Sequence, residues 1–322
     1  MPKRARAGRV HRQATGPRQP LGILELERFT TQALSRWKAL SQDLDELQAA
    51  LHFGVLPEQR RLRRELIDAL QQTPRTEFVL DGWVRIVGYR YSMEPLSAAG
   101  SLHELGGRFN AGADLDPGTL DPWPALYIAE DQETAFREKF QIPSTETVDG
   151  LSPQELALAH FTSYSTVFLN GKLHDLFDMT SPSSLEAVAK VLGKIRMPAK
   201  ARLLQRKLHI SATELRMIKT GRQLHGDVLT SNWRTLPVQF GLPASGHVLA
   251  ELIRAAGFEA ILYRSTKGPA RCVAVFPDML NSDSFIELTG QAPVSVKHTR
   301  LDIDSGEELS GWETLPMKRR RR

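Results

Sequence analysis

The hydrophobic pattern changes its period near residue 76, and that change sets the fold class. Before it, "ILELERFTTQALSRWKALSQDLDELQAALH" (23–52) carries Leu24, Phe29, Ala33, Leu34, Trp37, Leu40, Leu44, Leu47 and Leu51, mostly at steps of three or four. That spacing lines one face of an α-helix. Gly54 is expected to close it, and Pro57, well suited to a first helical turn, to open a second helix, "PEQRRLRRELIDALQQT". The reading is a helical hairpin over 21–75. After it, "FVLDGWVRIVGYRYS" alternates and is β-branched, the mark of a strand.

The remaining grammar mixes strands with helices. "ALYIAED" reads as a short strand and "DQETAFREKF" as a helix with Asp131 as its N-cap. "STVFLNGKLHDL" reads as two short strands around an Asn170-Gly171 hairpin turn. "SPSSLEAVAKVLG" and "GHVLAELIRAAG" read as helices that stop at glycines. "FEAILYRS" and "RCVAVF" read as strands around the turn "TKGPA", with "SFIELTG" as one more. The expectation is an α+β fold around a mainly antiparallel sheet. The chain divides on this reading into a basic tail (1–20), the helical hairpin (21–75), a catalytic domain (76–300) and a second basic tail (301–322).

Charge separates the tails from the body. The net charge is +5, but residues 1–20 and 317–322 together hold eleven bases and no acid. What remains is 31 bases against 37 acids, a body of net charge −6. An acidic body argues against a broad nucleic-acid-binding face, while the tails suit weak polyanion binding. The first 20 residues, rich in Arg, Gly and Pro, are expected to be disordered and lack the apolar segment of a secretory signal. No run of 18 apolar residues suggests a membrane span. A lone cysteine, Cys272, leaves no internal disulfide and no multi-cysteine metal site, and a cytoplasmic location is expected.

Several places carry chemistry. In "GGRFN", Gly106 and Gly107 free the backbone beside Arg108, a combination suited to cradling phosphate, although an ordinary loop arginine would look the same. Tyr127 ends an apolar strand, Glu138 lies beside an apolar helical stripe, and Ser265 sits between a strand and a glycine turn. Taken singly, these read equally as packing, a solvated helix face and turn chemistry. Phosphate-loop, dinucleotide, serine-elbow and paired-histidine metal motifs are all missing, so no metal is expected.

Together, "YRYS…GSLHELGGRFN", "LYIAEDQETAFRE" and "GFEAILYRSTKG…CVAVF" resemble the RES domain family, named for an Arg, a Glu and a Ser. The resemblance spans roughly 84–290. It implies a fold similar to ADP-ribosyltransferase toxins and an NAD-degrading toxin that cleaves the nicotinamide–ribose bond as a glycohydrolase or phosphorylase. NAD would be substrate rather than cofactor, with water or phosphate as acceptor. The usual partner would be an antitoxin with a helix-turn-helix domain.

Carried over, Arg108 would clamp the pyrophosphate or an acceptor phosphate, and Arg90 would assist. Tyr127 would stack on the nicotinamide or its ribose, and Asn110 of the "GGRFN" turn would also bind substrate. Glu138 would hold the ribose hydroxyls and stabilise the oxocarbenium-like transition state, and Ser265 would bond the ribose. Two features depart from the family pattern. A proline-rich "DLDPGTLDPWP" lengthens the loop after Asn110, and the stretch between Glu138 and Ser265 carries an insertion. ADP-ribosyl transfer to a macromolecule, and a nucleic-acid adaptor with a vestigial site, are the competing readings.

Overall fold

The computed structural model describes residues 31–116, 118–142, 163–290 and 294–311, without the side chains of residues 31–37 and Arg90. The first basic tail (1–20) and residues 312–322 of the second (301–322) lie outside the described residues, whereas 301–311 contribute a strand end and a helix.

The expected hairpin is instead one helix, α1 (Thr31–Gln71), with Pro57 inside it. Gly54 does not adopt the left-handed conformation that ends a helix. Pro57 lacks an N–H and so forfeits a helical hydrogen bond. Downstream of it, Leu62, Leu66 and Leu70, at steps of four, are all buried at 1% exposure or less, which keeps the chain helical.

Two compact units are distinguished. The smaller contains the described residues 31–53 and Pro198–Leu215. There Leu47, Ala201 and Leu204 are buried, and Lys200 and Lys207 pair with Glu46 and Asp43.

The larger unit is built on a closed sheet. Its strands are β1 (Thr76–Gly88), β2 (Gly106–Gly107), β3 (Asn110–Ala111), β4 (Leu126–Ala129), β5 (Tyr164–Asp178), β6 (Ala260–Arg264), β7 (Arg271–Val275), β8 (Phe285–Leu288) and β9 (Arg300–Leu301). The order is β1-β4-β7-β6-β5-β8-β9, and β1 also pairs with β5, which closes five strands into a barrel. The expected mainly antiparallel sheet is thereby corrected to a mixed one, since β5 and β6 run parallel. A parallel pair needs a crossover. The insertion supplies it with α3 (Glu186–Leu192), α4 (Ala199–Lys207), α5 (Gly221–Val228), α6 (Thr235–Phe240) and α7 (Ser245–Ala255).

The expected Asn170-Gly171 hairpin is also corrected: β5 runs straight through it. Neither residue has the positive φ that a two-residue hairpin turn demands. Asn170 Oδ1 instead accepts from the Gly82 N–H, 2.8 Å away, at the bulge of β1. Gly171 is a close-approach site, where an added Cβ would lie 2.4 Å from the Phe285 carbonyl oxygen.

Strand alternation divides the core. On β6 and β7, Ile261, Tyr263, Cys272 and Ala274 join the cluster containing helix residues Leu62, Phe136 and Ile253. Their neighbours Ala260, Leu262, Val273 and Val275 join a second cluster with Leu126, Ile128, Leu169 and Leu173. The parallel joint is fixed by Glu259, fully buried. Its carboxylate accepts from the N–H groups of His174, Asp175 and Asn281 and from Ser284 Oγ, at 2.6–3.0 Å. The capping expected for α2 (Gln132–Phe140) is present: Asp131 accepts from the Thr134 N–H. The last helix, α8 (Ile303–Ser310), follows β9.

Gly171→Ala is expected to lower the unfolding free energy by about 1–3 kcal/mol in urea titrations, through overpacking against backbone. Gly226→Ala, where an added Cβ meets nothing within 4 Å, is expected to be neutral or stabilising by up to about 1 kcal/mol.

Candidate active site

The "GGRFN" turn is a miniature hairpin. β2 and β3 pair through Gly106–Ala111 and Gly107–Asn110, so Arg108 and Phe109 occupy the tip. Both tip residues are buried, Arg108 at 6% and Phe109 at 0% exposure. Gly106 has φ +82°, and an added Cβ at Gly107 would lie 2.4 Å from the Tyr127 hydroxyl. Glycine at both positions therefore lets the backbone turn and lets Tyr127 lie against it.

Tyr127, on β4, braces this turn. Its hydroxyl accepts from the Phe109 N–H and donates to Asn110 Oδ1, each at 2.9 Å. Burial holds its pKa well above the ordinary tyrosine value, so the ring stays neutral. Asn110 is fully buried: Oδ1 also accepts from the Gly107 N–H, and Nδ2 donates to the carbonyls of Ser101 and Trp123. The proline-rich loop is anchored here too, since Trp123 Nε1 donates to the Phe109 carbonyl at 3.1 Å.

Arg108 reaches into the insertion. Its Nη1 donates to the carbonyls of Val228 (2.9 Å) and Thr230 (2.8 Å), and Nη2 to Thr266 Oγ1 (3.0 Å). Nε–H and one Nη2–H have no hydrogen-bond partner among the described residues. Burial pulls its pKa below the ordinary arginine value, and the Glu138 charge is among those opposing that shift.

Glu138 and Ser265 meet directly. Ser265 Oγ donates to Glu138 Oε1 at 2.6 Å while accepting from the N–H groups of Lys267 (3.0 Å) and Gly268 (2.8 Å). The two backbone donors orient the hydroxyl, so its proton points at the carboxylate. Glu138 Oε2 accepts no hydrogen bond among the described residues. Ser265 and Thr266 are adjacent at the end of β6, so one short segment holds the carboxylate through one hydroxyl and the guanidinium through the next. The structure thus brings Arg108, Asn110, Tyr127, Glu138 and Ser265 into one cluster. The Arg90 side chain lies outside the described residues.

Four further residues join the cluster. Thr266 was hidden in a turn where hydroxyls are ordinary. Trp233 and Arg234 lie in the insertion: the Arg108 and Arg234 guanidinium carbons sit 5.6 and 4.6 Å from the Trp233 ring centroid. His247, on α7, accepts at Nδ1 from the Ala244 N–H, so Nε2 carries the proton donated to the Gly107 carbonyl at 2.7 Å. In sequence it stands within a segment legible only as a helix. Cys272 lies near this cluster, but burial pushes its thiol pKa far up, which leaves it protonated. Among the described residues, no group of three His, Cys, Asp or Glu side chains could hold a metal ion.

The RES domain family model matches residues 83–295, about two-thirds of the chain. The chain belongs to the RES domain family. All the clustered residues fall inside the matched segment, the insertion included. No curated protein matches the chain. Among solved structures, a chain of the crystal structure of the M. tuberculosis MbcT–MbcA toxin–antitoxin complex is similar at 14% identity with a TM-score of 0.42. That likeness covers 76% of this RES chain and 96% of the other. Among the described residues, no helix is long and apolar enough to cross a membrane.

Burial lowers the His247 pKa from 6.5 to about 4, so the folded protein keeps it neutral. The unfolded chain therefore binds more protons between those values, and stability should rise with pH from about 4 to 6.5 and then level. The linked change is on the order of 3 kcal/mol. Urea unfolding at stepped pH should show this slope, and His247→Gln should flatten it between pH 5 and 6.5.

Proposed function

We propose that this RES domain protein cleaves the nicotinamide–ribose bond of NAD, with water or phosphate as acceptor, and that it acts as a toxin. The observation that carries this reading is the Ser265–Glu138 hydrogen bond beside a buried arginine. Nicotinamide leaves NAD as a neutral base, so its departure needs little acid catalysis. What the reaction needs is negative charge near the ribose C1′ as positive charge develops there. With Oε1 held by Ser265, Glu138 presents Oε2 to the ribose. The C1′–N bond electrons go to nicotinamide. A water oxygen then bonds to C1′ and loses a proton to give ADP-ribose, or a phosphate oxygen bonds to give the 1-phosphate.

Arg108 would contribute its remaining N–H groups to the substrate diphosphate or to the acceptor phosphate, assisted by Arg90. Tyr127 would set the face on which the nicotinamide or its ribose rests, and Asn110 would act through Tyr127, whose hydroxyl it holds. The family resemblance supports an antitoxin with a helix-turn-helix domain as partner, and a cytoplasmic setting. The basic tails would add weak, salt-dependent polyanion binding.

Purified protein incubated with NAD should release nicotinamide, and product analysis with and without phosphate will identify the acceptor. Glu138→Gln should reduce that release by a factor on the order of a hundred or more, since it removes charge facing the transition state. Full activity in this variant would refute the role of Glu138. Deleting residues 1–20 and 317–322 should leave NAD cleavage intact while abolishing retention on DNA or RNA at low salt. Retention by the tailless protein with an unchanged salt dependence would place the binding face in the body instead.

A further inference from the structure

Arg234 lies in the β5–β6 crossover, away from the sequence motifs that hold Arg108, Glu138 and Ser265. It is exposed, and no hydrogen bond or ion pair engages its guanidinium among the described residues. Its fixed contact is the face of Trp233, 4.6 Å from guanidinium carbon to ring centroid, and Arg108 approaches the same ring at 5.6 Å. Trp233 is itself held, 7% exposed and edge-on to His247 at 5.6 Å. The chain just before it is pinned, because Arg108 takes the Val228 and Thr230 carbonyls. Two guanidinium groups are therefore set against one rigid indole, one with three of its N–H groups bonded within the protein and the other open.

The charge count makes this arrangement specific. Arg108 and Arg234 repel each other, and Glu138 attracts both. His247 is neutral, because burial lowers its pKa. Burial likewise keeps Tyr127 and Tyr263 protonated. Two cations against one carboxylate leave an excess positive charge, with planar donors free to form paired bonds to an oxyanion. A solvated lysine-like surface charge would need neither the stacking nor the pinned segment.

We propose that Arg234 is a diphosphate-binding residue of this site, contributed by the insertion and held on Trp233 beside Arg108. It selects a substrate carrying a diphosphate over one without it. The identification of that substrate as NAD rests on the function proposed above, whereas the anion site itself does not.

The test uses the full chain, with titration calorimetry against inorganic pyrophosphate, ADP-ribose and adenosine, alongside nicotinamide release from NAD. Arg234→Gln should weaken pyrophosphate and ADP-ribose binding about tenfold or more and raise KM for NAD, with kcat little changed. Arg234→Lys should recover part of the affinity, because it restores the charge but not the fork. The exposed Arg64→Gln serves as a control and should bind as wild type. Adenosine should not distinguish the variants. Unchanged pyrophosphate affinity and KM in Arg234→Gln would overturn the proposal even if NAD is cleaved, as would a wild-type protein that binds neither anion. Pyrophosphate binding that depends on Arg234, in a protein that releases no nicotinamide, would uphold the anion site and refute the NAD reaction instead.

Discussion

A buried guanidinium cannot be left without acceptors, and that requirement organises the site. Arg108 is 6% exposed, so most of its N–H groups need acceptors from protein. Three of the five are met, by the carbonyls of Val228 and Thr230 and by the Thr266 hydroxyl. Three separate parts of the chain are thereby drawn to one point: the glycine turn, the segment after α5 and the end of β6. The β5–β6 crossover is for this reason built into the site.

The second organising element is the end of β6. Ser265 and Thr266 are consecutive, yet one bonds Glu138 and the other Arg108. This spacing fixes the carboxylate and the guanidinium relative to each other without their forming an ion pair. An ion pair would neutralise both groups, whereas hydroxyl intermediaries leave each with capacity for a substrate. Tyr127 and Asn110 do for the backbone what those hydroxyls do for the charges: they hold the turn so that Arg108 enters at a fixed angle. Preorganisation of this kind is what electrostatic stabilisation of the developing cation in the proposed reaction would require.

The fold delivers these parts because the barrel is closed. The β1–β5 pairing joins its ends, and the parallel β5–β6 joint, clamped by Glu259, brings β6 into position. β4 lies beside β7, which lies beside β6, so Tyr127 and Ser265 come from strands separated by one neighbour. Parallel pairing could not be read from the local pattern. "FEAILYRS" looks the same in either orientation, and only the length of chain before it, with its helices, makes a crossover possible.

Sequence alone marked the candidate site residues and most of the regular segments. Glycines beside Arg108, an aspartate before α2 and alternation in β6 and β7 are local signals, because each follows from backbone sterics or capping within a few residues. The family resemblance, resting on such local motifs, was legible for the same reason. Tertiary structure decided what local signals cannot contain. Pro57 stays inside α1 because Leu62, Leu66 and Leu70 gain burial with the helix continued. Gly171 marks the close approach of its antiparallel neighbour β8 rather than a turn, because the Phe285 carbonyl leaves no room for a Cβ. Trp233 and Arg234 come near Arg108 because the chain just before them supplies its acceptors, and His247 comes near because it bonds the Gly107 carbonyl, contacts that exist only in the packed whole.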